Sequence, residues 1–191
     1  MSSTPSSVQS YTYVLWASEV IQIPAFGGSK YETKTVNLGD PSKIQIVNAT
    51  YNGSVDVPGA GLAYLEYHFY VDGVDLWDET WVMIGGKREK TIDLTDKLSG
   101  GGLHVFKIEV SSTGSAPFVV DGYLTVQYVV LASGATIPTE VTTVVSPTTG
   151  GLTDIIKFVE NVMPLVMLIV IAVLFRSIVD SLKFGKDKSE K

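Results

Sequence analysis

The residues with the most chemical potential lie between positions 68 and 104. Asp72, Asp75, Asp78 and Glu79 crowd around Trp77. Oxygen ligands at this spacing can hold Ca²⁺, and paired carboxylates serve glycoside hydrolysis. No separate acid–base constellation accompanies them, and the plainer reading of the Asp72–Glu79 cluster, a solvated hairpin rim, outweighs both. The two histidines, His68 and His104, fall in separate runs that read as strands. A satisfied or exposed strand histidine is favoured over a metal ligand for each. Trp77, Trp81, Tyr67 and Tyr70 together suggest a sugar-stacking platform, but aromatics in strands more often pack a core.

Other chemistry is excluded directly. The chain has no cysteine, which removes disulfides, thiolate metal sites and cysteine nucleophiles. No HExxH pair, P-loop, GxSxG elbow or dinucleotide fingerprint is present. Gly100–Gly102 lacks the lysine and the following long helix that phosphate binding needs. The expectation is a protein that is not an enzyme, with no catalytic residue, no metal site and no cofactor. Two sequons, Asn48-Ala49-Thr50 and Asn52-Gly53-Ser54, make Asn48 and Asn52 candidate glycosylation sites.

The elements that carry these residues read as short strands. Tyr11–Ile23 is rich in Tyr, Val, Ile and Trp, and Pro24 ends it. Tyr31–Leu38 alternates, with Thr33 and Thr35 against Lys34 and Val36. Lys43–Tyr51 alternates again, with Ile44, Ile46 and a candidate Asn48 on one face. Asn52-Gly53 and Pro58-Gly59 read as breaks. Tyr64–Val71 precedes the Asp72-Gly73 pair that a two-residue hairpin favours. Val74–Trp77, Thr80–Ile84, Thr91–Leu94, Leu103–Val110 and Phe118–Leu131 follow, the last bent or interrupted at Asp121-Gly122, and Thr95–Leu98 reads as one helical turn. Roughly eight to ten short strands with regular turn signals predict an all-β sandwich or barrel.

Composition adds a second component. Charged residues are 18% of the 191-residue chain, below the roughly 25% of a typical soluble domain. Residues 1–152 hold 8 Lys/Arg against 15 Asp/Glu, and residues 153–191 hold 6 against 5, balances of −7 and +1 that sum to the net −6. An acidic domain repels phosphate backbones, so nucleic acid is expected only at the C-terminal tail.

From Val162 to Phe175 every residue is apolar. At 1.5 Å per residue that run covers about 21 Å, short of the ~30 Å hydrocarbon core. Apolar flanks lengthen it, and Lys157 and Arg176 can snorkel. The flanking charges gather on one helical face, which suits a helix lying between a membrane and a protein layer. Val162, Leu165, Leu168, Ile169, Ile171, Leu174 and Phe175 are the candidate membrane-anchoring residues. Lys183, Lys186, Lys188 and Lys191 are candidates for contact with headgroups or nucleic acid. The positive-inside rule places those lysines in the cytoplasm and the β domain outside, yet the N-terminal residues have no signal-peptide pattern. A virion with an internal membrane removes the conflict.

The expected organisation is a flexible arm at 1–9, a sandwich at 10–132, a Thr/Pro/Gly-rich linker at 133–152, a hydrophobic transmembrane or membrane-associated helix at 153–184 and a basic tail at 185–191. Val141–Val145 can pair as an edge strand inside that linker.

Three segments carry a resemblance. Tyr70-Val71-Asp72-Gly73-Val74, Lys90-Thr91-Ile92-Asp93-Leu94-Thr95-Asp96-Lys97-Leu98 and Gly102-Leu103-His104-Val105-Phe106-Lys107-Ile108-Glu109-Val110 resemble jelly-roll β-sandwiches of the galactose-binding-like kind. About forty residues are covered, and the likeness speaks for architecture rather than function. In layout, the whole chain resembles single jelly-roll capsid proteins of icosahedral, archaeal-type viruses with an internal membrane. That resemblance implies a virion-located, membrane-associated structural subunit that links shell to membrane. It would self-associate into an oligomer or lattice and touch lipid and other virion proteins. The alternative is a cell-surface carbohydrate- or protein-binding module with a single-pass C-terminal anchor. A membrane-anchored hydrolase using the Asp72–Glu79 cluster is the least supported reading.

Overall fold

The computed structural model describes residues 8–59, 63–131, 135, 137–145, 167, 171 and 175. Among them are nine strands and one helical turn: β1 (Val8–Ile23), β2 (Gly28–Asn37), β3 (Ile44–Asp56), β4 (Tyr64–Val71), β5 (Val74–Val82), β6 (Lys87–Asp93), α1 (Thr95–Leu98), β7 (Leu103–Ser112), β8 (Ala116–Val130) and β9 (Val141–Val145). One sheet has the order β1-β8-β3-β6 and the other β5-β4-β7-β2-β9, and every described pairing is antiparallel. The first eight strands therefore wrap as a jelly roll, with neighbours in sequence placed in opposite sheets except at the β4–β5 hairpin.

Alternation in the sequence explains the two layers. In β8 the even-numbered residues from Ala116 to Tyr128 are buried, and in β7 so are those from His104 to Val110. Their inward faces meet around Phe69. Its ring stacks on Tyr51 at 4.0 Å and meets Trp16 edge-on at 6.2 Å, while Phe106 packs at 6.5 Å. Asp72 and Gly73 have φ of 50° and 80°, the left-handed pair that a tight hairpin twist demands.

Three local readings are corrected. A register shift between Ile46 and Asn48 turns Asn48 outward and puts Ala49 in the core; a bulge moves every later side chain by one position. Asn52-Gly53 does not break the chain, because β3 runs through it, and β8 likewise runs through Asp121-Gly122. The two glycines face each other across the β3–β8 ladder. Finally, Val74–Trp77 and the expected strand Thr80–Ile84 join in β5 only as far as Val82, with an extra residue accommodated opposite Phe69 and Tyr70, and Ile84 falls in the loop beyond.

β1 starts at Val8, inside the expected arm, and β9 lies inside the expected linker. β9 covers the β2 edge, whose backbone groups would otherwise stand open. Lys34 Nζ donates to Thr143 Oγ1 at 2.9 Å, and Tyr13 Oη donates to the Pro138 carbonyl at 2.7 Å, which fastens this stretch to the roll. Of the expected hydrophobic helix, Met167, Ile171 and Phe175 are described, all helical and exposed. Among the described residues, no helix is long and apolar enough to cross a membrane.

Candidate functional site

The β4–β5 hairpin spreads its carboxylates rather than converging them. Successive strand residues point to opposite faces, so Asp72, Asp75, Asp78 and Glu79 cannot all share one centre. Asp72 Oδ2 lies 2.7 Å from His104 Nδ1, and its Oδ1 accepts the Val105 N–H at 2.8 Å. His104 Nε2 lies 3.0 Å from the Gly101 carbonyl. Both partners of this ring only accept, so each contact is a hydrogen bond when the facing nitrogen carries a hydrogen. Asp75 Oδ2 is 2.8 Å from His68 Nδ1. Glu79 accepts from Trp77 Nε1 at 2.9 Å and sits 3.5 Å from Arg88 Nε. Asp78 is exposed. Among the described residues no group of three or more His, Asp or Glu could hold a metal ion, so the calcium arrangement is not formed. His104 instead ties the β4–β5 turn to β7, and His68 links the two strands of the hairpin.

The aromatic platform is likewise not formed, and the favoured reading, core packing, holds for three of its four residues. Trp77, Trp81 and Tyr67 are core residues, because the alternation that turns His68 and Tyr70 outward turns these three inward. Tyr70 alone of the four stands on the outer face of its sheet. There Lys107 Nζ lies 4.9 Å from the Tyr70 ring and 5.0 Å from the Tyr31 ring, in cation–π range. The His68 ring stacks 6.0 Å from Tyr70. His68, Tyr70 and Lys107 are half-buried there and Tyr31 is exposed.

The opposite sheet carries a groove of about 330 Å³ on its outer face. Asn52 and Ser54 come from β3, Glu89 and Thr91 from β6, and Asp121 and Tyr123 from β8. Its polar groups are partly engaged. Thr91 Oγ1 donates to Asn52 Oδ1 at 2.8 Å. Asp121 accepts the Ser18 N–H at 2.7 Å, which pins the irregular stretch of β1 where Ser18 has φ of 51°. The Tyr123 ring, 38% exposed, is the apolar surface offered there. The sequon residues Asn48 and Asn52 are both exposed on this face.

Sequence reasoning missed two features. The first is a buried ion pair: Glu32 and Lys34, 2% and 8% exposed, face inward from β2 with Lys34 Nζ 2.6 Å from Glu32 Oε1. Its signal was available, since Lys34 shares a strand face with Val36. The second is a pair of exposed apolar loop residues, Phe26 and Ile84, 94% and 78% exposed. Each stands directly before a glycine pair, Gly27-Gly28 and Gly85-Gly86.

The candidate anchoring residues Ile171 and Phe175 are helical and exposed. Val162, Leu165, Leu168, Ile169 and Leu174 lie outside the described residues, as do Lys183, Lys186, Lys188 and Lys191.

No family model matches the sequence, and no curated protein matches it. Solved structures align with it at a distance. The dimeric latent PorU of Porphyromonas gingivalis aligns with a TM-score of 0.37 and 13% identity over 67% of this chain. The VP2 subviral particle of infectious bursal disease virus aligns at 0.37 and 12% over 85%. Broad bean stain virus aligns at 0.31 and 9% over 78%. The chain spans 13% of the PorU chain, 48% of the VP2 chain and 94% of the broad bean stain virus chain. Likenesses this distant carry no argument about activity or assembly.

Proposed function

We propose that this chain is a structural subunit of a virion shell that joins the shell to an internal membrane. The observation that carries the reading is the course of β9. Having completed the eight-strand roll, the chain adds β9 to the β2 edge and then continues toward the apolar run Val162–Phe175. A docked strand gives a stiffer coupling between domain and apolar segment than a free Thr/Pro/Gly linker would. Two further features support it. The carboxylates and histidines of the β4–β5 hairpin are largely spent on holding strands together. The acidic balance of residues 1–152 leaves the C-terminal lysines as the place for contact with nucleic acid or headgroups.

The test is assembly of the full chain, purified in mild detergent and transferred into lipid. Sedimentation and electron microscopy should show oligomers or lattices carrying lipid. Monodisperse monomers under all conditions would sink the reading.

A second reading, a surface-anchored carbohydrate-binding module, draws on the groove around Tyr123. Its polar lining and single exposed ring are what a sugar face and its hydroxyls require. Binding on a glycan array that disappears with Tyr123→Ala would favour it over the shell subunit.

A further inference from the structure

We infer that one end of the jelly roll, the end bearing Phe26 and Ile84, docks directly onto a lipid bilayer. The inference rests on the membrane-linking reading above and deepens it by naming the face of the domain that meets lipid.

Strand registers define the end. In one sheet, Ile23 at the close of β1 pairs with Ala116 at the start of β8, and Asp56 at the close of β3 pairs with Lys87 at the start of β6. In the other, Gly28 and Leu65 both pair with Ser112, and Tyr64 pairs with Val82. The connections β1–β2, β3–β4, β5–β6 and β7–β8 therefore gather at one end of the sandwich. They also touch in series. A β-carbon on Gly27 would meet Thr113, and one on Gly114 would meet Ala63. The Met83 N–H donates to the Ala63 carbonyl at 2.9 Å, and the Val57 N–H to the Gly86 carbonyl at 3.3 Å.

The chemistry of this row differs from that of the opposite end. None of the residues at 24–27, 57–63, 83–86 and 113–115 is charged. The opposite connections hold Asp40, Lys43, Asp72, Asp96, Lys97 and Glu140. Single exposed apolar side chains are ordinary. Here Phe26 and Ile84, the two most exposed large apolar side chains among the described residues, stand at the two flanks of the uncharged row. Phe26 follows β1 and Ile84 precedes β6, the outer strands of a four-stranded sheet, so their bases are about 14 Å apart at the usual strand spacing. Two apolar tips with an uncharged surface between them suit the boundary between headgroups and acyl chains, where apolar groups enter about 5–10 Å.

The chain's own course selects lipid as the occupant. β9 runs antiparallel to β2, with Val141 opposite Val36 and Val145 opposite Glu32, so it heads toward this same end. The sequence beyond it holds the apolar run Val162–Phe175, in which Met167, Ile171 and Phe175 are helical and exposed. A membrane that receives that segment lies beyond the end from which the chain departs.

The absence of cysteine makes single probes clean. Full-length Phe26→Cys, Ile84→Cys and, at the opposite end, Asp96→Cys are labelled with a polarity-sensitive fluorophore. Each is reconstituted into phosphatidylcholine vesicles with or without brominated acyl chains. Brominated lipid should quench the probes at 26 and 84 strongly and the probe at 96 little. Adding Phe26→Asp to the probe at 84 should lower the docked fraction about tenfold. Equal, weak quenching at all three positions in chains that float with the vesicles overturns this inference and leaves the membrane link standing. Chains that do not float overturn the membrane link and this inference with it. Probes at 26 and 84 that are shielded from iodide yet untouched by brominated lipid assign the end to a protein neighbour and overturn it.

Discussion

Gly53 and Gly122 face each other across β3 and β8, and a β-carbon on either would collide with the Tyr51 hydroxyl. On Gly53 it would lie 2.5 Å from that oxygen, and on Gly122 2.9 Å from it and 2.6 Å from Trp16 Cε3. The glycine pair is the floor on which two large core side chains rest, and it lets Tyr51 stack on Phe69. Gly53→Ala and Gly122→Ala should each destabilise the fold by about 1–3 kcal/mol, the usual cost of overpacking. Guanidinium unfolding checks this; an unchanged midpoint for Gly122→Ala would mean that Trp16 and Tyr51 can shift.

The Glu32–Lys34 pair should behave as a buried ion pair. Lys34→Met leaves Glu32 unpaired in the core and also removes the donor to Thr143. A loss of about 3–5 kcal/mol is expected from the single change. Glu32→Leu with Lys34→Met should recover most of it. A double variant no more stable than either single would contradict this. Faster amide exchange at Val141 and Thr142 in the Lys34 variant would report the loosening of β9.

Asp72 closes the far end of the hairpin onto β7. Asp72→Asn keeps a residue tolerant of φ near 50° but weakens the charged contact to His104 and the acceptor for Val105. Asp72→Ala loses both contacts and the turn preference, and should cost about 1–3 kcal/mol. The order wild type, Asn, Ala in thermal unfolding is the expected result. An Ala variant as stable as wild type would show that the turn alone holds the hairpin.

Stability should fall in alkali. Burial pushes the hydroxyls of Tyr13, Tyr51, Tyr67 and Tyr128 above their ordinary value of 10. With the folded value raised, the native state holds its proton where the unfolded chain releases it. Their contribution is therefore complete below about pH 10 and declines as pH rises beyond it. Denaturation midpoints from pH 8 upward should stay level and then drop. Tyrosinate absorbance from these four should appear together with unfolding. Full ionisation of all nine tyrosines with an unchanged midpoint would refute this.

Much of the architecture was legible in the sequence, because strand alternation is local. Leu103–Val110 displays its inward residues in the one-dimensional pattern, and Asp72-Gly73 announces a turn that needs two positive φ values. The candidate sites were less legible. Asp72, Asp75 and Glu79 look alike as a run of carboxylates, and only the pairing of β4 with β5 and β7 gives each a different partner.

By itself, the sequence determined a cysteine-free, acidic β domain followed by an apolar segment, since composition and period depend on no distant contact. Tertiary structure decided the rest. A glycine reads the same at a turn and beneath a packed ring, so Gly53 and Gly122 became mid-strand residues only when Tyr51 and Trp16 were placed over them. Phe26 and Ile84 lie 58 positions apart in the sequence. Wrapping the roll brings their loops to one end, because odd-to-even strand connections all turn on the same side of an antiparallel sandwich.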